Sequence, residues 1–315
     1  MQQTKVYIII VTYNGMLWID SCLQSLRESN LHVKTIIVDN CSADETVVHI
    51  ANEYKEVTLI PLKNNVGFGQ ANNIGIRKAY DEGAEYVYLL NQDAWLMTNT
   101  IEQLVEIMKN DPKIGITSPM QMDASMKKVD KLFLKDILTS AETTQEMLSG
   151  FITGDLKNNY GLWYFPAAHW MLSRRCIEEV GLFSPAFFHY GEDNNYIERV
   201  HFHGLKTAVA PNVYAVHDRG ERKKLDFIGL AFLQYNKAII QASNIELDSL
   251  MHFIYLVKFY LISIVYFLFT RTLHLFKKVK KHYLEMTPFS VVNKCYRFSK
   301  QKGFMLNVLY EKTDY

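Results

Sequence analysis

Short apolar runs alternate with longer stretches of helical period from the start of the chain. Val6 to Val11 precedes a helical pattern over Leu17 to Ser29, and Lys34 to Val38 precedes one over Thr46 to Tyr54. The beat continues with Val57 to Leu62 before Gly69 to Tyr80, and with Tyr86 to Leu90 before Thr100 to Lys109. Strand-length runs made almost wholly of apolar residues belong to strands covered on both faces. Repeated strand-then-helix units therefore predict an α/β fold with a mostly parallel central sheet flanked by helices. In such a sheet the ligand crevice lies at the carboxyl ends of the strands. Polar residues stand at each of those exits: Thr12-Tyr13-Asn14, Asp39-Asn40, Lys63-Asn64-Asn65 and Asn91-Gln92-Asp93.

Residues 123–160 break the rhythm and predict a loop-rich insertion near the site, with room for short helices. Order returns with a strand-like run from Trp163 to Ser173 and a short helix around Cys176 to Val180 that Gly181 closes. A second helix is expected from Glu192 to His203, ending at Gly204, and further strands over Lys206 to Ala210 and Val213 to His217. There are no internal repeats. The expected division is a catalytic domain over residues 1–240 and a helical, basic extension over 241–315.

Composition narrows the function classes. A chain of 315 residues with 49% hydrophobic content supports a sizeable core, which excludes wholesale disorder. The net charge of +1 gives no reason to expect a nucleic-acid partner. Cysteines 22, 41, 176 and 295 show no paired metal or disulfide spacing and read as reduced thiols of a cytoplasmic protein. The first apolar run is too short for an export signal.

Several strand exits offer chemistry. Asp39 is followed by Ser42 and Glu45, which fit a capping box for the next helix; as an isolated residue it is equally a turn former or a carboxylate that accepts the imide N–H of a pyrimidine. Asn65-Val66-Gly67-Phe68-Gly69 places glycines before a helix whose free N–H groups suit negative charge, without the spacing of a Walker loop or a dinucleotide fingerprint. Asn91 and Asp93 lie two residues apart beyond a buried strand and face one side, an arrangement of oxygens suited to Mg²⁺ or Mn²⁺ shared with a diphosphate, or simply to a polar strand end. Glu192 and Asp193 begin a helix, where acids complement the dipole and where one of them can serve as a general base. His217 can join Asp93 at a metal, and Arg219 can meet phosphate. Trp163, Trp170 and Tyr190 are expected in the core more than on a sugar ring.

Taken in order, these segments resemble family 2 glycosyltransferases of the GT-A fold, in particular the bacterial rhamnosyltransferase-like branch. The resemblance spans roughly residues 5–220 and rests on Val11-Thr12-Tyr13-Asn14, Ile37-Val38-Asp39-Asn40 with Ser42, Asn65-Val66-Gly67-Phe68 with Ala71-Asn72-Asn73, Leu90-Asn91-Gln92-Asp93, Gly181-Leu182-Phe183 leading to Phe187-Phe188, and Glu192-Asp193 with Arg199. It implies an inverting transfer of a sugar from dTDP-rhamnose or a UDP-sugar to a saccharide acceptor in bacterial cell-surface polysaccharide synthesis. By the same resemblance Asp39 reads the base, with Thr12, Tyr13, Asn14, Asn65, Gly67, Asn72, Asn91 and Asp93 around the donor. Asp93 and His217 bind a divalent metal, and Asp193 is the catalytic base, with Glu192 and Arg219 as secondary candidates. Many relatives carry an acid where this chain has Asn91, so its metal site has one negative charge fewer. The alternative is a nucleotide-sugar or glycan-binding protein on the same fold that has lost turnover. A nucleotidyltransferase is disfavoured, because Asn14-Gly15-Met16-Leu17 is no glycine-rich basic loop.

The end of the chain has a different character. Leu250 to Phe269 is nearly all apolar, long enough to span a bilayer but interrupted by Lys258. From Arg271 to Lys302 there are nine Lys or Arg against the single acid Glu285. Two readings follow for residues 250–302: peripheral contact with the cytoplasmic face of the inner membrane, which would suit a lipid-linked acceptor, or packing on the domain or on a second subunit as a homo-oligomer.

Overall fold

The computed structural model describes residues 4–220, 227–275 and 287–303. The expected alternation is present as β1 (Val6–Thr12), α1 (Ile19–Arg27), β2 (Lys34–Asp39), α2 (Thr46–Glu53), β3 (Thr58–Pro61), α3 (Phe68–Asp81), β4 (Tyr86–Asn91), β5 (Ala94–Leu96) and α4 (Thr100–Asn110). It continues with β6 (Ile114–Met122), α5 (Lys131–Leu138), α6 (Ala141–Thr153), β7 (Tyr160–Gly161), β8 (His169–Ser173), α7 (Arg174–Val180), α8 (Glu192–Phe202) and β9 (Lys206–His217). Three helices close the described chain: α9 (Phe227–Ser243), α10 (Ser249–Leu275) and α11 (Phe289–Ser299).

One sheet organises the molecule, in the order β3-β2-β1-β4-β8-β6-β9-β5, with β7 pairing β9. β1 to β4 are mutually parallel, β8 runs against them, and β6 and β9 resume the first direction. Both faces of β1 are covered. Tyr7 and Ile9 join the core layer that includes Ile76 of α3 and Trp170, whereas Val6, Ile8 and Ile10 join the layer formed with α1 and α4. This two-sided burial is the physical reason for the unbroken apolar runs.

The structure departs from expectation in four places. β6 carries no apolar alternation, since Thr117, Ser118 and Gln121 are buried in it. The two strands expected around Pro211-Asn212 are one strand, β9. Its register against β6 jumps from Pro119–Ala210 to Met120–Tyr214, so the prolines sit where the ladder is interrupted and no backbone N–H is missed. Only His169–Ser173 of the expected Trp163–Ser173 strand is in the sheet. The insertion at 123–160 holds two helices, with Asp130 and Ser140 as N-caps accepting from Phe133 N and Thr143 N.

The 240/241 boundary falls inside α9, and α9, α10 and α11 contribute Phe232, Tyr235, Phe259 and Val292 to the same core layer as Ile9 and Trp170. Packing of α3 on β1 is the tightest approach in that layer: a Cβ added at Gly75 would lie 2.4 Å from Ile9 Cγ2. Gly75→Ala is therefore expected to destabilise the protein by about 1–3 kcal/mol despite the gain in helix propensity, read as a lowered urea midpoint. An unchanged midpoint would show that the layer relaxes freely.

Candidate active site

The exits of β1, β2 and β4 are joined by side chain to backbone bonds. Asp39 is 1% exposed, and its carboxylate accepts from Thr12 Oγ1 at 2.8 Å, from Ser42 Oγ and from Ser42 N at 2.8 Å. Ser42 is thus engaged with Asp39, and the expected capping box is absent: Glu45 makes no side-chain cap on α2, and Thr46 N donates instead to Asp44 Oδ1. Asn14 accepts from Ala43 N and donates its own N–H to Ser42 Oγ, closing the β1 loop onto the β2 loop. Gln92, which the motif reading left without a role, pairs reciprocally with the backbone of Tyr13.

From the other side comes the segment between α7 and α8. Asn73 of α3 makes two bonds to the backbone of Phe183, at 2.9 and 2.8 Å. Gly67 has φ +85°, and a Cβ there would sit 2.0 Å from the Phe188 carbonyl oxygen, so only glycine admits this crossing. The first N–H of α3, on Phe68, donates to that same carbonyl at 3.2 Å. Tyr190 at φ +68° and Gly191 at φ +99° then turn the chain sharply into α8. Arg199, fully buried, anchors α8 by donating to the carbonyls of Val180 and Leu182, which caps the end of α7.

Two adjoining cavities result. The first, of about 350 Å³, is lined by residues that include Tyr13, Asn40, Asn65, Gly67, Gln92 and Asp93. The second, of about 470 Å³, is lined by Asp136, Tyr164, Glu192, Asp193, His217 and Arg219 among others. Phe68, Asn91 and His189 belong to both. Of the residues expected around a donor, Tyr13, Asn65, Gly67, Asn91 and Asp93 line the first cavity. Thr12, Asp39, Asn14 and Asn72 do not. Asp39 and Thr12 lie beneath its floor, and Asn72 bonds back to the Phe68 carbonyl within α3.

Where the cavities meet, His217 Nε2 lies 3.5 Å from Asp93 Oδ1. His217 is 2% exposed, neither of its ring nitrogens has a hydrogen-bond partner, and Asn91 Oδ1 is likewise buried without one. Buried polar atoms left unpaired are costly, so the His217 ring and Asn91 Oδ1 keep capacity for a ligand at this point. Among the described residues no cluster of three or more His, Cys, Asp or Glu side chains is assembled for a metal. A carboxylate and an imidazole beside a free carboxamide oxygen nevertheless fit a divalent ion whose other ligands come from phosphate oxygens. Behind them His169 is held neutral, its pKa pushed down to about 3 by burial and by His217, with Nδ1 on Tyr88 Oη and Nε2 on the Val216 carbonyl.

The second cavity concentrates acid. Tyr164 Oη donates to Asp193 Oδ2 at 2.8 Å, and Asn194 N donates to Oδ1 at 2.8 Å. Burial raises the Asp193 pKa above its ordinary value even against these bonds. Glu192, with Oε2 unpaired, is pushed up to about 8 by burial and by Asp193. Asp136 of α5 is pushed up to about 6 by burial and by Asp193. Arg219 is pinned by Asp130 at 2.8 Å and keeps a buried, unpaired Nη2. Asp136 and Tyr164 escaped the sequence reading: neither belongs to a motif, and the fold of the insertion alone brings Asp136 here. Of the aromatics weighed for a sugar, Trp170 is fully buried, Trp163 stacks on His201 with centroids 4.1 Å apart, and Tyr190 lines the cavity.

The chain and its fold resemble known proteins. The model of "Glycosyl transferase family 2" matches residues 7–181, more than half of the chain. The chain belongs to glycosyl transferase family 2. It is 25% identical over 228 residues to the dTDP-rhamnosyl transferase RfbF of Shigella flexneri, covering 70% of this chain and 71% of that one. Among solved structures, S. aureus TarS 1-349 in complex with UDP superposes with TM-score 0.54 at 16% identity, covering 89% of this chain and 76% of that one. The mannosyltransferase PcManGT from Pyrobaculum calidifontis, in complex with GDP-Man and Mn²⁺, gives TM-score 0.55 at 18% identity, covering 78% of this chain and 64% of that one. These likenesses establish the GT-A fold. The expected family, its rhamnosyltransferase-like relatives and the α/β architecture are all found.

The buried acid pair has a consequence for stability. The folded state keeps Glu192 protonated up to about pH 8, whereas an unfolded glutamate ionises near its ordinary 4.5. Between those values the folded state binds more protons than the unfolded one, so stability falls as pH rises through this window. Glu192→Gln is expected to lose less stability than the wild type between about pH 5 and pH 8, by roughly 1–3 kcal/mol in urea unfolding. Equal losses in the two proteins would contradict burial of this carboxylate.

Proposed function

We propose that this glycosyltransferase moves one sugar, with inversion, from a pyrimidine nucleoside-diphosphate donor in the first cavity to a saccharide hydroxyl in the second, in bacterial cell-surface polysaccharide synthesis. The observation that carries the reading is the two-lobed site, with Asp93 and His217 at the junction and Asp193 facing the second lobe. The similarity to a dTDP-rhamnosyl transferase supports the donor and the setting.

In this reading the diphosphate lies at the junction, against Asp93, His217 and Asn91, and the sugar projects toward Asp193. Asp39, buried beneath the first cavity, holds Thr12 and Ser42 there through its carboxylate, and contact of its Oδ2 with a pyrimidine imide requires the loop above it to yield. Asp193 takes the proton of the acceptor hydroxyl. The acceptor oxygen then bonds to the anomeric carbon from the face opposite the diphosphate, and the bond to the diphosphate oxygen breaks with its electron pair. Tyr164 holds the Asp193 carboxylate in place by its hydroxyl. A raised pKa brings this base nearer to neutrality, where a general base works best, and Glu192 retains its own proton beside it. A bound Mg²⁺ or Mn²⁺ on Asp93 and His217 would supply charge to neutralise the leaving diphosphate. Arg219 Nη2 is the second cation available to phosphate.

Asp193→Asn is expected to lower transfer from dTDP-rhamnose or a UDP-sugar by about 10²–10⁴-fold while the protein still gains thermal stability on adding dTDP or UDP. An unchanged rate would remove Asp193 as the base, and a wild type that turns over no donor yet binds nucleotide would make this a binding protein. At a nucleotide concentration a hundred times its dissociation constant the stabilisation amounts to about 2.7 kcal/mol. Asp93→Ala should abolish the part of that shift that depends on Mn²⁺, and a shift indifferent to Mn²⁺ in the wild type would refute the metal assignment.

A further inference from the structure

The helix α10 is amphipathic in a manner that its sequence conceals. It reads as almost uniformly apolar, with mean hydropathy 2.0 over Ser249–His274. In the fold it divides into two faces. Leu256, Phe259, Ser263, Tyr266 and Thr270 are buried, packed toward α9 and α11, with Tyr266 stacked on Tyr235 of α9 at a centroid distance of 4.6 Å. On the opposite face Leu250, Phe253, Val257, Leu261, Val265 and Leu268 are each 41–68% exposed. Their spacing of three and four residues sets them in one stripe about 27 Å long. Beside it, between α9 and α10, opens a cavity of about 430 Å³ lined by Ala231, Leu261, Ile262, Val265, Tyr266 and Phe269 together with Gln234. A continuous exposed apolar surface of this extent marks an interaction site.

Charge selects the occupant. At 100° per residue, Lys258 lies about 80° to one side of the stripe and Arg271 about 60° to the other, so each edge carries a cation. Lys258 is exposed, donating to Gln241 Oε1 at 3.0 Å and lying over the Tyr255 ring at 5.7 Å from its centroid. Residues 249–303 contain no acid except Glu285, and the sequence after α10 adds Lys277, Lys278, Lys280 and Lys281, which lie outside the described residues. A second copy of this face would bring like cations against one another along the stripe, the nearest acids, Glu246 and Asp248, standing only before its first turn. An anionic bilayer surface satisfies both features at once, taking the stripe into its acyl boundary and the cations at its headgroups.

We infer that α10 lies in the plane of an anionic membrane surface and docks the enzyme there by its exposed stripe, without crossing the bilayer. Crossing would strip α10 from Tyr235 and the rest of α9 and place Lys258 within the hydrocarbon. The docked helix is coupled to the site. Asn236 of α9 donates to the His189 carbonyl at 2.7 Å, and Ile240 of α9 packs where a Gly191 Cβ would stand, 2.9 Å away. His189 and Tyr190 line the second cavity, so the platform and the acceptor lobe share one wall. The consequence, which rests on the transferase reading, is an acceptor presented from the membrane, its saccharide carried on a lipid anchor.

The test is flotation of the full chain with vesicles of phosphatidylcholine alone and of phosphatidylcholine with phosphatidylglycerol, compared with the Leu261→Ser, Val265→Ser double variant. Both substitutions are at exposed positions, and a retained thermal shift with UDP or dTDP certifies that the variant is folded independently of any transfer assay. The expected result is binding to the anionic vesicles at least tenfold above the neutral ones, release by alkaline carbonate, and a loss of about a hundredfold in the variant. Equal binding to the two vesicles, retention after carbonate, or no vesicle binding each overturns the inference. The last, with a dimer in sedimentation that the double variant dissolves, would give the face to a second copy. None of these outcomes touches nucleotide binding or the Asp193 test, so the two readings fail separately.

Discussion

The crossing of Phe188 over Gly67 is the constraint on which the site depends. Glu192 and Asp193 stand between β8 and β9, far along the chain from β1, β2 and β4, and they reach those strand exits because the segment from Phe183 to Gly191 is drawn across the start of α3. Asn73 fixes one end through both of its amide atoms, and Phe68 N fixes the middle through the Phe188 carbonyl. From the far side Asn236 takes the His189 carbonyl. The segment is thus clamped between a helix of the nucleotide-binding half and a helix of the C-terminal group. A glycine at 67 permits the contact, with no room for a Cβ. Glycine-rich turns before helices are readily assigned to phosphate, and here the same freedom is used by the protein's own backbone.

That clamp brings like charges together. Asp193, Glu192 and Asp136 share a cavity whose cations, Lys135 and Arg219, are fewer, and each of the three pKa values rises. Such an arrangement costs stability, which is common where function rather than packing sets the residue. The two lobes differ in character as a result. The first is lined by carboxamides, backbone and one carboxylate, and the second by carboxyl groups whose pKa values burial and mutual repulsion raise. The buried polar atoms without a partner, on Asn91, His217 and Arg219, line the second lobe, and of these residues only Asn91 also lines the first.

Legibility in the sequence followed burial. β1, β2, β4 and the helices between them were readable because each strand is covered on two faces and each helix on one, so the period alone identifies them. The strand exits followed from topology, and with them Asp39, Asn91 and Asp93. β6 was not readable, since Thr117, Ser118 and Gln121 place polar side chains inside the sheet, and β9 was divided because Pro211 mimics a turn while occupying a register shift. α5 and α6 lie in a segment whose sequence showed no clear period, and their caps, Asp130 and Ser140, are identified by the structure. Asp136 was beyond reach altogether: its role depends on α5 folding over the second cavity, which no local pattern encodes. Ser42 illustrates the converse. Its spacing to Glu45 suits a capping box, but the buried Asp39 carboxylate competes for the same hydroxyl and wins, because leaving a buried carboxylate oxygen unpaired costs more than an uncapped helix end.

The C-terminal helices follow the same logic at a larger scale. Sequence alone left α10 between lipid and protein because uniform hydrophobicity carries no direction. Packing supplies the direction: one face is consumed by α9 and α11, and the remainder must be accounted for separately. The packed face of α10 thus accounts for packing on the domain, and its exposed face is what the membrane reading concerns. α9 is the element that joins them, since its Tyr235 and Phe232 receive α10 while its Asn236 and Ile240 form the back of the segment that carries Glu192 and Asp193. α9 alone thus stands between the exposed face of α10 and the wall of the second cavity, and close-packed side chains joined in this way move together.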